Sequence, residues 1–212
     1  MKTQAQISAI IEELKKLYPD ALCSLEYQKD YELLFSVRLA AQCTDARVNL
    51  VTPALFERFP TLEAFAAATP DEVGEYVRSC GFWRAKAKDI VGSAQKLLRD
   101  FGGKVPDNMD DLLRLPGVGR KTANLILGDI YGKEGYVCDT HCIRLTGRLG
   151  ITDGSKDPLK VEQQLRKTIP PEESSDFCHR MVLHGRALCM ARGPKCEECP
   201  LKTLCDYGAN PQ

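Results

Sequence analysis

The stretch of sequence that decides the fold lies at positions 115–123 and reads Leu115-Pro116-Gly117-Val118-Gly119-Arg120-Lys121-Thr122-Ala123. A proline followed by a glycine ends one helix, and the second glycine precedes residues that start another. Both glycines allow positive φ and let a second backbone come close. The sequence therefore predicts a helical hairpin, with one helix over about 107–114 and the next over 120–131.

The start of the second predicted helix is suited to bind a phosphate group. The first N–H groups of a helix have no partner within the helix, and the helix dipole is positive at that end. No side chain of this turn reads a base, so its binding to DNA would not depend on sequence. We expect backbone contacts to DNA from Leu115, Gly117, Val118, Gly119 and Arg120.

Lys121 lies in the first turn of this second helix. The dipole disfavours a cation there, which raises the fraction of free amine, and partial desolvation acts in the same direction. A free amine is what nucleophilic attack requires. An arbitrary helix lysine is usually a solvated surface residue, but its place in a glycine hairpin favours a nucleophile.

A carboxylate follows in the segment Val137-Cys138-Asp139-Thr140-His141. Asp139 or Thr140 would cap a helix over 141–149, and capping alone is one interpretation. The helix over 120–131 runs about 18 Å at roughly 1.5 Å per residue. Six extended residues return about 20 Å at roughly 3.3 Å each. Asp139 can therefore return to the level of Lys121 and act as its acid–base or electrostatic partner.

The ten cysteines fall into two groups. Six are scattered through apolar surroundings and are interpreted as small buried hydrophobic residues. The other four, Cys189, Cys196, Cys199 and Cys205, lie within 17 positions and predict a metal site. Zinc usually uses two Cys-x-x-Cys pairs and only one occurs here, so the uneven spacing suits a four-iron cluster better.

The loop between Cys189 and Cys196 carries Arg192 and Lys195. These two residues form either an ordinary solvated basic surface or a phosphate-contacting loop that the cluster holds rigid. The chain as a whole has 29 basic and 29 acidic side chains. Any DNA-binding face must therefore come from local sorting of charge.

Apolar residues recur at steps of three and four along nearly the whole chain, and no pair of alternating strands occurs. The sequence predicts an all-α protein of about ten helices. Thr61 and Thr69 are expected N-caps. Helices are expected to end at Pro19, Pro53, Pro60, Pro70, Gly81, Gly102, Gly103 and Pro106. Positions 208–212 are predicted to form a frayed end.

The helical pattern lapses near positions 132–135, which indicates a soft boundary between two parts of the chain. No apolar run is long enough to cross a bilayer. The first residues lead into an amphipathic helix rather than the apolar core of a signal peptide. We therefore expect a cytoplasmic protein without membrane contact.

These motifs together resemble the endonuclease III family of base-excision DNA glycosylases over almost the whole chain. The resemblance is carried by residues 115–123, by residues 137–141 and by the four-cysteine tail. It implies that Lys121 is the Schiff-base lysine and Asp139 the catalytic aspartate. It also implies a [4Fe-4S] cluster on Cys189, Cys196, Cys199 and Cys205.

Two further segments match the family. The stretch Ala41-Gln42-Cys43-Thr44-Asp45 implies that Gln42 fills the gap left by an extruded nucleotide. The stretch Gly81-Phe82-Trp83 implies an apolar wedge, with Phe82 preferred over Trp83. Phe-Trp in this loop, with cysteines at 43 and 142, departs from common members and leaves the preferred lesion open. Further DNA contacts are expected from His141, Arg192 and Lys195.

The resemblance implies two helical domains flanking a DNA cleft. Residues 22–133 would form a six-helix barrel with the hairpin at about 107–131, and residues 1–21 with 134–212 would form the cluster domain. The implied activity is removal of oxidised pyrimidines from duplex DNA, followed by a nick 3′ to the abasic site. The implied protein is a monomer that acts on double-stranded DNA in the bacterial nucleoid.

Three other functions compete with this interpretation. A monofunctional adenine or mismatch glycosylase would lack Lys121, and the adenine enzymes carry an extra C-terminal domain. A non-catalytic DNA-binding module would share the hairpin but would not need Lys121 together with Asp139. An electron-transfer or redox-sensing protein would need the cysteines but not a large DNA-binding body.

Overall fold

The computed structural model describes residues 2–209. Over this range the chain is helical and contains no strand, which confirms the all-α prediction. The α-helices are α1 Gln4–Leu17, α2 Asp30–Ala40, α3 Asp45–Arg58, α4 Leu62–Ala67, α5 Pro70–Val77, α6 Trp83–Phe101, α7 Met109–Leu112, α8 Arg120–Asp129, α9 Thr140–Leu149, α10 Pro158–Thr168, α11 Ser174–Ala187 and α12 Asp206–Ala209. Short 3-10 turns lie at Arg78–Cys80, Pro171–Glu173, Cys196–Glu198 and Lys202–Leu204.

The chain divides into two compact units. One is the continuous segment Cys23–Tyr131, which contains α2 to α8. The other combines Met1–Leu22 with Gly132–Gln212 and contains α1 together with α9 to α12. No helix among residues 2–209 is long and apolar enough to cross a membrane.

The continuous unit is built around an aromatic cluster. Phe35 of α2 and Phe65 of α4 lie edge to face with ring centroids 5.0 Å apart. Phe59 packs against Phe65 at 5.1 Å. All three side chains are buried. Burying such rings supplies much of the hydrophobic stabilisation of a small helical unit, and α6 packs along α4 and α5 beside them.

Threonine caps set where the helices of this unit begin. Thr61 accepts the backbone N–H of Ala64. Thr69 accepts that of Glu72, and the carboxylate of Glu72 in turn accepts the backbone N–H of Thr69. Both predicted caps are confirmed, and each satisfies N–H groups that the helix leaves without partners.

The prediction that Pro53 ends a helix is wrong. Pro53 lies inside α3, which runs from Asp45 to Arg58. A proline removes one helical hydrogen bond, but Val48, Thr52 and Leu55 on both sides of it are buried. Packing of that face keeps the helix continuous, because tertiary burial supplies most of a helix's stability.

The discontinuous unit joins the two ends of the chain. The buried face of α1 includes Ile7, Ile10 and Leu14, and α1 packs against α11. The backbone N–H of Lys2 donates to the carbonyl of Gly150 at 3.0 Å. The predicted frayed end is wrong for residues 208–209, which belong to α12, while positions 210–212 lie outside the described residues.

Candidate functional site

The hairpin turn is anchored on α6. The hydroxyl of Ser93 donates to the carbonyl of Pro116 at 3.0 Å. Gly92, one position earlier, leaves room for the ring of Pro116, whose Cγ lies 3.3 Å from where a Cβ would stand. Leu115 is buried and accepts the N–H of Val118 at 3.2 Å. The predicted DNA contact at Leu115 therefore concerns its backbone, since the side chain belongs to the core.

Gly117 adopts φ 70°, a left-handed conformation that favours glycine. The first helix of the hairpin is shorter than predicted, with α7 limited to Met109–Leu112 and capped by Asn108. The second helix begins at Arg120 as predicted. The turn is therefore held in one conformation against α6, and this positions the start of α8.

The N-terminus of α8 fits an anion. Gly119 occupies the N-cap position in an extended conformation without a side-chain cap, and the first turn contains no acidic residue. Gly119, Arg120 and Lys121 are all exposed. Lys121 is the second residue of the helix, so its amine extends from the end where a phosphate would bind.

Asp139 is the N-cap of α9. Its Oδ1 accepts the backbone N–H of Cys142 at 2.7 Å, and its own N–H donates to the carbonyl of Val137 at 2.9 Å. The side chain is half-buried. The structure thus confirms the capping role, and the cap fixes the direction of the carboxylate as a catalytic group also requires.

His141 lies in the first turn of the same helix. Its Nδ1 lies 3.1 Å from a guanidinium nitrogen of Arg144 and beside Gly185, where a Cβ would come within 2.3 Å. The ring of His141 therefore leaves no room for a side chain at position 185. The predicted contact between His141 and DNA stays a prediction.

The four cysteines of the tail line one cavity. Its volume is about 20 Å³, and Leu145, Leu149 and Leu201 supply apolar walls. Burial raises the pKa of Cys199 and of Cys205, and the neighbouring cysteines raise both further. Sulfurs placed this way ionise together only against a bound cation, so the donor set fits a thiolate-held metal group.

Within residues 2–209, no three His, Cys, Asp or Glu side chains converge tightly enough to hold a single metal ion. The residues that line the cavity nevertheless include all four predicted ligands. Their backbone is irregular there, with 3-10 turns at Cys196–Glu198 and Lys202–Leu204. In a 3-10 turn, side chains three positions apart lie on the same side, and three positions is the spacing of Cys196 and Cys199.

Two arginines of α9 hold the loop that starts at Cys189. Arg148 donates to the sulfur of Cys189 at 3.2 Å and to the carbonyl of Met190 at 2.8 Å. Arg144 donates to the carbonyl of Cys189 at 2.9 Å. Sequence reasoning missed this pair, although a spacing of four places both side chains on one helix face. The loop then exposes Arg192 and Lys195.

A buried imidazole lies on the other side of the cavity. Burial lowers the pKa of His184 to about 4, so the ring is neutral at pH 7. Its Nε2 lies 3.4 Å from the sulfur of Cys199, and its Nδ1 lies 3.2 Å from the hydroxyl of Tyr18. A neutral ring donates at one nitrogen and accepts at the other, which matches a sulfur on one side and a hydroxyl on the other.

Gln42 and Phe82 share an unusual backbone. Among residues 2–209 they are the two non-glycine residues with positive φ, at 55° and 47°. Both are exposed, and 70 % of the Phe82 surface is accessible. Left-handed backbone in bulky residues costs free energy and concentrates at functional sites. These are the two residues that the resemblance implied as DNA-inserting, and their insertion into DNA stays a prediction.

Trp83 differs from its neighbour Phe82. Its ring lies against Gly74 of α5, so closely that a Cβ at Gly74 would stand 2.4 Å from Cζ3. The guanidinium of Arg84 stacks over the ring at 4.4 Å. Trp83 therefore anchors α6 to α5, and Phe82 is the aromatic side chain that this loop exposes.

The comparisons with known proteins agree with this geometry. A family model described as HhH-GPD superfamily base excision DNA repair protein matches residues 35–171. The chain is 49% identical over 193 residues to endonuclease III of Synechocystis sp., which covers 91% of this chain and 88% of the relative. It is 39% identical over 203 residues to endonuclease III of Bacillus subtilis, and this match covers 96% of this chain and 93% of the relative.

The solved structures give the same result. The fold superposes with a TM-score of 0.92 on a trapped endonuclease III–DNA covalent intermediate, described as an estranged-adenine complex. That protein is 42% identical, and the match covers 99% of this chain and 98% of the other. A thermostable thymine-DNA glycosylase shares the fold at a TM-score of 0.86 and 20% identity.

Proposed function

The chain belongs to the endonuclease III family of the HhH-GPD superfamily of base excision DNA repair proteins, and we propose how its own residues perform glycosylase and lyase chemistry on duplex DNA. The observation that carries the proposal is an exposed amine, Lys121, in the first turn of a helix that starts without a side-chain cap. The trapped covalent complex of a relative that is 42% identical supports it.

DNA binding begins at the hairpin. The turn at Gly117–Gly119 and the start of α8 would bind backbone phosphates through N–H groups, with Arg120 adding charge. Arg192 and Lys195, exposed beside the cysteine cavity, would contact other phosphates. His141 is proposed as a further DNA contact. None of these contacts reads a base, so the protein would scan duplex of any sequence.

The damaged nucleotide is then extruded from the stack. Its place would be taken by Gln42 and Phe82, which are exposed and held in the left-handed conformation. Extrusion costs a few kcal/mol and costs less for a poorly stacked base. Oxidised pyrimidines that have lost ring planarity stack poorly, and we propose them as the substrates.

The covalent step uses the free amine of Lys121. Its nitrogen forms a bond to C1′ of the sugar, and the bond between C1′ and the damaged base breaks. The bonding pair leaves with the base, which takes up a proton. Asp139 would accept a proton from the amine and stabilise the positive charge that grows on the sugar.

Strand cleavage follows from the same adduct. Opening of the sugar ring gives a protonated Schiff base between Lys121 and C1′. This cation acidifies the C2′ proton, and its removal sends an electron pair towards C3′, which expels the 3′ phosphate. Water then hydrolyses the imine and frees the lysine. The result is a nick 3′ to the abasic site.

A [4Fe-4S] cluster is proposed for the cavity of Cys189, Cys196, Cys199 and Cys205. Support comes from the uneven spacing of the four cysteines and from the cavity that all four line. When bound, the cluster would cross-link the loop that carries Arg192 and Lys195. The N–H groups of Arg148 and Gly208, both 3.2–3.3 Å from sulfur, would donate to the thiolates.

The unit Cys23–Tyr131 is proposed as the barrel domain with the hairpin, and the unit that joins the two ends of the chain as the cluster domain. We propose that the protein acts as a monomer on the bacterial nucleoid in the cytoplasm, and the bacterial origin of its relatives supports this location.

Borohydride trapping tests the proposal. The substrate is a duplex with one thymine glycol or one abasic site. Wild-type protein should form a covalent adduct that Lys121→Ala does not form, whereas Lys104→Ala, which removes an exposed lysine outside the hairpin, should trap normally. An adduct that persists in Lys121→Ala would place the nucleophile elsewhere, and a wild-type protein that neither traps nor nicks would contradict the proposed activity.

A further inference from the structure

Lys86 is a lysine with almost no contact with solvent. It lies in the first turns of α6, and its surface is 1% accessible. Lysine is among the residues that folded proteins bury least often, because desolvating its charge is costly. A lysine that remains buried must therefore be compensated by the groups around its ammonium.

The compensating groups are two backbone carbonyls. Nζ of Lys86 donates to the carbonyl of Leu39 at 2.8 Å and to that of Cys80 at 2.8 Å. The first carbonyl belongs to the last turn of α2, and the second ends the 3-10 turn Arg78–Cys80. Helix C-termini carry unsatisfied carbonyls and partial negative charge, so one ammonium neutralises both ends.

These two carbonyls lie within three positions of the two strained residues. Leu39 lies three positions before Gln42, and Cys80 lies two positions before Phe82. The backbone N–H of Lys86 also donates to the carbonyl of Phe82 at 3.2 Å. The same residue therefore contacts both loops just before the chain turns into the left-handed conformation.

A thiol contact joins the loops a second time. The thiol of Cys80 lies beside that of Cys43, the residue after Gln42, and this neighbour helps to raise the pKa of Cys80. Burial raises the pKa of Cys80 to about 11 and lowers that of Lys86. The groups that face the ammonium are thus the two carbonyls and the thiols of Cys43 and Cys80, while the nearby Arg38 lowers the pKa of Lys86 further and no carboxylate contributes to it.

We propose that Lys86 is a positioning residue for base extrusion, whose ammonium holds the loops of Gln42 and Phe82 in the strained conformation that enters the DNA. This inference rests on the proposed role of those two residues. Without the ammonium, the two carbonyls lose their shared partner and each loop can relax separately, because left-handed backbone in a bulky residue persists only where its surroundings hold it.

The experiment compares Lys86→Met with Lys96→Met. Lys96 lies on the same helix and pairs with Asp100 at 3.1 Å, so its variant removes an ammonium without touching the two loops. Single-turnover base removal is measured on a duplex with one oxidised pyrimidine opposite 2-aminopurine, whose fluorescence reports the unstacked partner base. Lys86→Met should lower the rate constant by about 10- to 100-fold and reduce the fluorescence change, and Lys96→Met should change neither.

A double-mutant cycle separates positioning from loss of folding. In a Gln42→Ala/Phe82→Ala background, Lys86→Met should slow base removal by less than about twofold, because the side chains it positions are gone. A merely destabilised protein would instead lose reaction amplitude, or lose rate equally in both backgrounds, and either result would overturn the inference.

Two further comparisons complete the test. Should Lys86→Met fail to fold, Lys86→Gln keeps an amide NH₂ group as donor without the charge and is taken through the same cycle, where an intermediate loss of rate is expected and a wild-type rate would refute the role. Gln42→Ala/Phe82→Ala alone tests the proposed function: a wild-type rate in that variant would contradict the roles of Gln42 and Phe82 whatever Lys86 does.

Discussion

Arg38 and Asp89 form an ion pair, Nε to Oδ2 at 2.7 Å, on the spot where a side chain at position 117 would stand. A Cβ on Gly117 would lie 2.5 Å from that Nε and 2.6 Å from that Oδ2. The pair joins α2 to α6, so the hairpin turn lies directly on a contact between two helices. Gly117 is thus fixed by close approach as well as by its positive φ.

Gly117→Ala should destabilise the protein. The methyl group meets the ion pair and the backbone is left-handed, and such strain costs about 1–3 kcal/mol. Gly119→Ala is the matched control, because its φ is −101° and nothing lies within 4 Å of a Cβ there. It should leave the free energy of unfolding within about 0.5 kcal/mol but weaken DNA binding. Urea unfolding and anisotropy with undamaged duplex measure both, and equal stability of the two variants would contradict the close approach.

Asp139→Asn should separate the helix-capping role of Asp139 from its proposed catalytic role. Asparagine caps a helix about as well as aspartate, whereas Asp139→Ala should cost about 1 kcal/mol of stability. Without the charge, turnover in Asp139→Asn should fall by about 10²- to 10⁴-fold while lesion DNA still binds. Single-turnover kinetics and melting curves give the two readouts. Wild-type turnover in Asp139→Asn would reduce Asp139 to a structural cap.

Phe82→Ala should mainly lower activity, whereas Trp83→Ala should mainly lower stability. Phe82 is exposed, so its loss should change stability by less than about 0.5 kcal/mol but slow removal of a damaged base. Trp83 packs on Gly74, and its truncation should cost about 2–3 kcal/mol, less than for a fully buried tryptophan. Thermal unfolding and base-removal rates, measured on the same protein samples, show whether each variant changes stability or activity. A stable Trp83→Ala with lost activity would make Trp83 the wedge.

Gln42→Gly should stabilise the protein while impairing it. Glycine accepts φ 55° without the penalty of about 1–2 kcal/mol that an L side chain pays there, although part of the gain is lost to unfolded-chain entropy. Base removal should slow because nothing fills the vacated stack. Denaturation measures the expected gain in stability, and single-turnover assays measure the expected loss of rate. A variant less stable than wild type would show that contacts of the Gln42 side chain outweigh its backbone strain.

Replacement of any tail cysteine by serine should lower the iron content. A serine at Cys189, Cys196, Cys199 or Cys205 removes a thiolate ligand, so cluster absorbance and bound iron should fall together. Cys23→Ser is the control, since Cys23 is half-buried in the other unit and burial raises its pKa to about 12. Normal iron in the tail variants, or zinc in the purified wild-type protein, would disprove the cluster.

Local chemistry made much of this fold readable from the sequence. Caps such as Thr61 and Thr69 act within four residues, so their pattern survives in the linear chain. Gly117 of the hairpin has a positive φ, which the Pro-Gly pair at positions 116–117 already predicts. The cysteine spacing likewise pointed to the cavity, because all four ligands fall within one short stretch.

Tertiary packing decided what the sequence could not. Pro53 continues a helix because both sides of that turn are buried. Lys86 looked like one of several lysines on α6, and only the folded chain shows its two carbonyl partners. Left-handed φ at Gln42 and Phe82 has no signature in residue type, because glycine or asparagine would be expected there.

The unit that contains the cysteine cavity is closed by contacts between the two ends of the chain, such as Lys2 with Asp206 across 204 positions. During synthesis, α1 leaves the ribosome before α11. The apolar face of α1 is therefore covered only after α11 has been made. The continuous unit Cys23–Tyr131 can fold long before that. The order of biosynthesis therefore places the formation of the cysteine cavity after the synthesis of α9 to α11, so any group it holds is inserted only once Cys205 has been made.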